Sequence, residues 1–148
     1  MNVLLFLVFL CAAAVAASTG SLFSPGDWYL SLSRPSWAPP SWAFPVVWTT
    51  LYILMAWAAS RVASRQGAAL ALAFFSLQIA LNTLWTPVFF GAHRIGAGLL
   101  VLGLLWLTVA AMTVAFWRLD RFAGLMILPY LAWLSVAASL NFWIWQNN

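Results

Sequence analysis

With 148 residues, 66% hydrophobic and only 5% charged, the chain is too poor in charge for a soluble domain, where about a quarter of residues are charged. Its mean hydropathy of +0.98 marks an integral membrane protein, in which lipid replaces part of a core. The net charge of +4 comes from six arginines against Asp27 and Asp120, with no lysine and no basic run, so it fits loop anchoring and not nucleic-acid binding; the single Cys11 excludes an internal disulfide and a thiolate metal site.

The first apolar segment, Val3–Leu22, has small residues near Ala14–Ser18 like a secretory signal. It lacks a Lys/Arg n-region, its apolar run exceeds the usual ~7–15 residues, and Phe9-Leu10-Cys11 lacks the small residues of a lipoprotein cleavage site. A retained first helix is expected. The linker Phe23–Trp42 is long and structured. Ser24-Pro25-Gly26-Asp27 reads as an N-cap, a Pro at N1 and an acid at N3, opening a short helix toward Leu30. Arg34-Pro-Ser-Trp37-Ala-Pro39-Pro40-Ser-Trp42 is stiff and extended, since Pro fixes φ and restrains its predecessor. A rigid aromatic loop of this length is expected to fold over something as a lid.

Four further apolar segments follow: Ala43–Arg61, Ala68–Phe90, Ile95–Trp117 and Phe122–Trp145. At about 19–24 residues each, the five segments are roughly 28–36 Å long as helices and match a ~30 Å hydrocarbon core. The predicted fold is all-α, a single five-helix transmembrane bundle over residues 1–148. The short turns carry arginines. Arg61, Arg65, Arg118 and Arg121 fall on the N-terminal side of the membrane, Arg34 and Arg94 on the other, so the positive-inside rule places the N-terminus in the cytoplasm.

The candidate site comes from helical periodicity. At 100° per residue, Gln78, Asn82, Trp85 and Phe89 fall on one face of the third span, and Ala69, Ala73, Ser76 and Ala80 on the opposite one. The small face suits close backbone approach and is a candidate homodimer seam. An amide in lipid needs a partner, either another helix or a ligand, and the residues alone leave that open for Gln78 and Asn82. Trp48 and Tyr52 share a face near Pro45 in the second span. Trp133 lies one turn after Pro129, which is expected to kink the fifth helix, with Ala137 leaving room beside the indole. Chain direction puts Trp48, Asn82, Trp85 and Asn141 in one leaflet with Trp133 deeper, and Arg34, His93 and Arg94 at the mouth. An aromatic cavity with few polar groups, a cationic rim and a lid is how an amphipathic ligand site is built. No carboxylate lies within a span, so ion-coupled pumping lacks parts, and no Ser/His/Asp set, phosphate loop or metal cluster is visible.

These residues resemble the tryptophan-rich sensory protein/translocator protein (TspO/MBR, peripheral benzodiazepine receptor) family. The resemblance rests on Trp37-Ala-Pro39-Pro40, Pro45-Val-Val-Trp48-Thr-Thr-Leu-Tyr52, Asn82-Thr-Leu-Trp85-Thr-Pro87-Val-Phe89-Phe90-Gly91 and Pro129-Tyr130-Leu-Ala-Trp133, and it covers essentially the whole chain. It implies a five-helix bundle, often dimeric, that binds porphyrins such as protoporphyrin IX, haem-pathway intermediates and aromatic drugs, with no resident cofactor and no metal. It further implies Trp48, Asn82, Trp133 and Ala137 as pocket residues; together with Tyr52, Trp85 and Phe89 from the helix faces and Trp37 from the loop, they make up the expected ligand contacts. Trp48 and Trp133 are the candidates for the light-dependent porphyrin degradation described for some members. The cholesterol motif of animal members needs a Tyr and an Arg near the end of the fifth helix. This chain has Leu140-Asn141-Phe142-Trp143-Ile-Trp145-Gln146 there, so cholesterol recognition by that motif is not expected. The absence of a targeting extension leads us to expect a bacterial membrane. Three readings stand: a porphyrin-binding sensor or translocator, a porphyrin-degrading protein, and a structural membrane partner whose amides only join helices.

Overall fold

The computed structural model describes residues 2–148. The elements are α1 (Val3–Leu22), α2 (Asp27–Ser31), α3 (Ala43–Ala63), α4 (Ala69–Thr86) running into a π-helical turn (Pro87–Gly91), α5 (Ile95–Leu119) and α6 (Arg121–Asn147). The five long helices, counting α4 with its π turn as one, are each long and apolar enough to cross a membrane, as the composition requires. Around the bundle the order is α1, α3, α6, α5, α4 and back to α1.

Packing explains that ring. The hairpin of α5 and α6 has the most extensive contact. Its turn is a single extended residue, Asp120 (φ −154°, ψ 109°), whose Oδ1 accepts from the Ala123 N–H at 3.1 Å and so caps α6. Gly124 lets the two helices close there, because a Cβ on it would sit 2.8 Å from Trp117 Cα. Above the turn, Leu105, Val109, Met112 and Phe116 of α5 bury against the core with Ala123, Ile127, Tyr130 and Leu134 of α6. By contrast α1 is apolar on every side and buries only Ala13, Ala16 and Thr19. That small stripe lets α1 lie close to α3 and α4, where van der Waals contact is the main attraction available in lipid.

One local expectation needs correction. Ser24 does not cap α2: the helix begins at Asp27 with Gly26 as its cap, and Gly26 holds φ at 24°, a left-handed value that ends any helical continuity from Pro25. Helix α6 runs from Arg121 to Asn147 as one element that carries Pro129 inside it.

Candidate functional site

A cavity of 530 Å³ lies between α1, α3 and α4 at the end of the bundle that carries the long loop. Its aromatic walls are Phe23, Tyr29, Phe44, Trp48, Trp85 and Phe90, and its polar groups include Tyr52, Asn82 and Thr86. Of the ligand contacts expected from sequence, Trp48, Tyr52, Asn82 and Trp85 line it. Trp48 and Tyr52 stack one turn apart on α3, with ring centroids 5.5 Å apart.

The polar centre is a chain of side chains across three helices. The Tyr130 hydroxyl donates to Gln78 Oε1 at 2.9 Å and accepts from Asn82 Nδ2 at 2.8 Å. The remaining Gln78 amide donates to Met55 Sδ at 3.5 Å. Because Tyr130 spends its one proton on Gln78, Asn82 must present its NH₂ to Tyr130, which leaves Asn82 Oδ1 facing the cavity. Among the described residues the only donor on that oxygen is the Tyr52 hydroxyl, at a long 3.4 Å. The two amides therefore differ in what they leave free. Gln78 is fully buried and serves as glue, whereas Asn82 is anchored by one end and offers the other.

Four expected contacts lie outside the cavity lining. Phe89 is buried in a second aromatic nest, stacked on Trp85 at 5.2 Å and edge-on to Trp28, Tyr29 and Phe90. The π turn is the cause. Widening the ladder to i→i+5, as in Ala92 N–H to Pro87 O at 2.8 Å, turns Phe90 toward the cavity and Phe89 toward α5, where only Gly98 makes room. Trp133 sits behind Phe44, ring centroids 5.7 Å apart, so Phe44 and not Trp133 forms the wall. Ala137 packs half-buried against the main core. Trp37 is half-exposed on the loop.

Over the cavity, α2 contributes Tyr29 and the Trp-Pro stretch contributes Ser41. Tyr29 lines the cavity with Phe23 and Pro25, and Trp28 stacks on His93 at 4.2 Å with rings 6° from parallel. The Arg34 guanidinium lies 5.0 Å over the ring of Tyr29, which lines the cavity. Burial pushes the Tyr29 phenol above its ordinary range while Arg34 pulls it partly back. Arg94 is exposed at the start of α5 and does not line this cavity. Asn141, expected in the same leaflet as the site, is buried between helices and donates to the Ile95 carbonyl at 3.1 Å. Farther along the loop, Ser33 and Asn148 exchange two hydrogen bonds, Ser33 N–H to Asn148 Oδ1 at 2.9 Å and Asn148 Nδ2 to the Ser33 carbonyl at 3.1 Å, which fixes the loop to the end of α6.

Sequence reasoning missed two contributors. Helix α1 supplies Ala16, Ala17, Gly20 and Ser21 to the wall. The available signal was the density of small residues late in that span. Tyr130 holds Asn82 in place, and its position on the Pro129–Trp133 stretch was the only hint. The small face of α4, Ala69, Ala73, Ser76 and Ala80, is exposed along its whole length. Among the described residues no group of three His, Cys, Asp or Glu side chains could hold a metal ion.

Comparison with known proteins agrees with this architecture. Residues 6–146 match the model of the TspO/MBR family. The chain is 54% identical over its full length to the CrtK protein of Rhodobacter capsulatus, covering 95% of that protein. It is 51% identical to a tryptophan-rich sensory protein of Cereibacter sphaeroides (96% of this chain, 90% of that one) and 37% identical to the human translocator protein (95% and 88%). These relatives support a membrane receptor role, and the multi-pass membrane protein described here belongs to the TspO/MBR family.

Proposed function

We propose that the protein is a porphyrin-binding membrane receptor, a sensor or translocator, whose ligand occupies the 530 Å³ cavity under α2. The observation that carries this reading is the match between the cavity's construction and an amphipathic macrocycle. A volume within the ~300–1,000 Å³ usual for small-molecule sites is walled by flat aromatic rings and holds few polar groups. Asn82 Oδ1 is an underused acceptor at its centre, suited to a pyrrole N–H. Arg34 at the rim is suited to a propionate. Aromatic drug-like ligands fit the same description. The exposed small face of α4 supports a homodimer, and the apolar exterior supports the lipid bilayer as the surrounding partner.

Titration of the purified protein with protoporphyrin IX, followed by tryptophan quenching, tests the reading. Trp48→Ala and Asn82→Ala should each weaken binding about tenfold, the effect of one aromatic contact or one cavity hydrogen bond. Undetectable binding, or wild-type affinity in both variants, removes the proposal. The degradation reading is weaker, since Trp133 stands behind Phe44 and only Trp48 of the proposed pair meets the cavity.

A further inference from the structure

A second cavity, at the opposite end of the bundle from the aromatic one, has a different chemistry. It measures 240 Å³, several times the ~30 Å³ share of one water, and is lined by Asn2, Ser60, Arg61, Ser64, Arg65 and Asp120. Three elements converge there: the start of α1, the end of α3 and the α5–α6 turn. Both guanidinium groups reach the same oxygen, Asp120 Oδ2, Arg61 at 2.8 Å and Arg65 at 3.1 Å. The other oxygen, Oδ1, is taken by the Ala123 N–H. One carboxylate charge thus faces two guanidinium charges, and the cluster keeps a net charge of about +1 at neutral pH.

The donors left over point the same way. Arg65 spends one terminal nitrogen on Asp120 and is otherwise half-exposed toward the cavity mouth. The Asn2 side chain accepts from the Leu5 N–H through Oδ1, and its NH₂ group has no partner among the described residues. Ser64 makes no side-chain hydrogen bond among the described residues, whereas Ser60 donates inward to the Trp57 carbonyl. A donor-rich, net-positive recess at the boundary between apolar span and water takes an anion, and the anion that the bilayer itself supplies at that depth is a lipid phosphate. Arg118 and Arg121, at the end of α5 and the start of α6, add positive charge to the same end of the bundle.

We propose that this recess binds the phosphate headgroup of an anionic phospholipid, with Arg65, Ser64 and Asn2 as its donors and the Arg61–Asp120 pair as its floor. The site is separate from the aromatic cavity and does not depend on what that cavity binds.

Native mass spectrometry and thermal unfolding of the purified protein in detergent test it, with phosphatidylglycerol, phosphatidylcholine and inorganic phosphate added in separate arms. Phosphatidylglycerol should be retained and should raise the unfolding temperature more than phosphatidylcholine. Arg65→Gln should weaken its binding about fivefold, the contribution of one arginine near a membrane surface. Asp120 keeps Arg61 and its cap in that variant. Ser64→Leu, which fills the recess without touching the ion pair, should give a similar loss if Arg65→Gln proves too unstable to purify. Arg94→Gln, at the other end of the bundle, should bind as wild type does. Equal binding of the two lipids, or wild-type phosphatidylglycerol affinity in both recess variants, overturns the proposal. Inorganic phosphate matching the stabilisation by phosphatidylglycerol would make this a soluble-anion site and would also overturn it.

Discussion

Tyr130→Phe removes one oxygen atom from the centre of the bundle and tests how the polar chain works. The hydroxyl is buried, donates to Gln78 Oε1 at 2.9 Å and accepts from Asn82 Nδ2 at 2.8 Å. Its loss leaves two amides without their partner and opens almost no space. Interhelical hydrogen bonds in membrane proteins average about 0.6 kcal/mol and reach about 1.7, so two of them give a cost of roughly 1–3 kcal/mol. The upper half of that range applies if the freed Gln78 oxygen finds no other donor, because an orphaned buried polar atom carries its own desolvation penalty of about 1–3 kcal/mol. Reversible unfolding in mixed micelles, titrated with a denaturing detergent, measures the cost. A cycle with Gln78→Leu isolates the bond, and the double variant should be less destabilised than the sum by at least about 0.6 kcal/mol. Gln78→Leu alone should leave protoporphyrin affinity at the wild-type value, whereas Asn82→Ala should not. A Tyr130→Phe protein as stable as wild type within ~0.3 kcal/mol, or strict additivity with Gln78→Leu, would refute the network as described.

Further perturbations follow from the same geometry. Burial pushes the Asp120 carboxyl up, but the Ala123 N–H and the Arg65 and Arg61 guanidinium groups outweigh it and hold the group below the usual carboxylate range. A carboxyl depressed on folding stabilises above its unfolded value, so unfolding temperature should be flat at neutral pH and fall below about pH 4. That fall should be smaller in Asp120→Asn; an identical acid profile in the two proteins refutes the assignment. Asp120→Ala at neutral pH should cost about 1–2 kcal/mol, mostly the lost cap, since the part-exposed ion pairs are each worth under ~1. Gly124→Ala places a Cβ 2.8 Å from Trp117 backbone and should destabilise by about 1–3 kcal/mol, whereas Gly103→Ala meets open space and should be neutral or stabilising. Phe90→Ala should weaken protoporphyrin binding more than Phe89→Leu, the reverse of what an unbroken α-helix predicts, and quenching titrations of the two variants decide it.

The spans were legible because lipid leaves so few solutions. Every backbone group must be satisfied internally, so apolar length translates into helix, and Ala43, Ile95 and Val3 are both the expected and the observed first residues. The ends were less so. Helix α3 continues to Ala63 and α6 begins at Arg121, and the contacts of Arg61 and Arg65 with Asp120 that tie these ends together join residues 59 and 55 positions apart, which no local pattern contains. The site divides the same way. Trp48, Tyr52, Asn82 and Trp85 could be placed by period alone, because α3 and α4 are regular through those positions. The wall from α1 could not, because an all-round apolar helix has no preferred face in its sequence, and only contact with α3 and α4 selects Ala16 and Ala17.

Phe89 is the sharper case, because the signal was present in the sequence. Pro87 has no N–H to give the α ladder, so the carbonyl one turn before it is released and the backbone is free to widen. The Ala92 N–H then reaches back five residues to Pro87 O, and the Arg94 N–H six residues to Val88 O. Five residues at the α pitch would carry position 90 well away from position 85, and a wider turn brings it back beside it. The Trp85 and Phe90 rings accordingly meet at 5.6 Å and both face the cavity. Gly91 completes the arrangement, since a Cβ there would lie 2.8 Å from the Phe23 ring that closes the wall from α1. A proline followed four residues later by glycine, at the end of a span, therefore carries a change of helical register, and reading the face of α4 straight through it misassigns one aromatic of the pair.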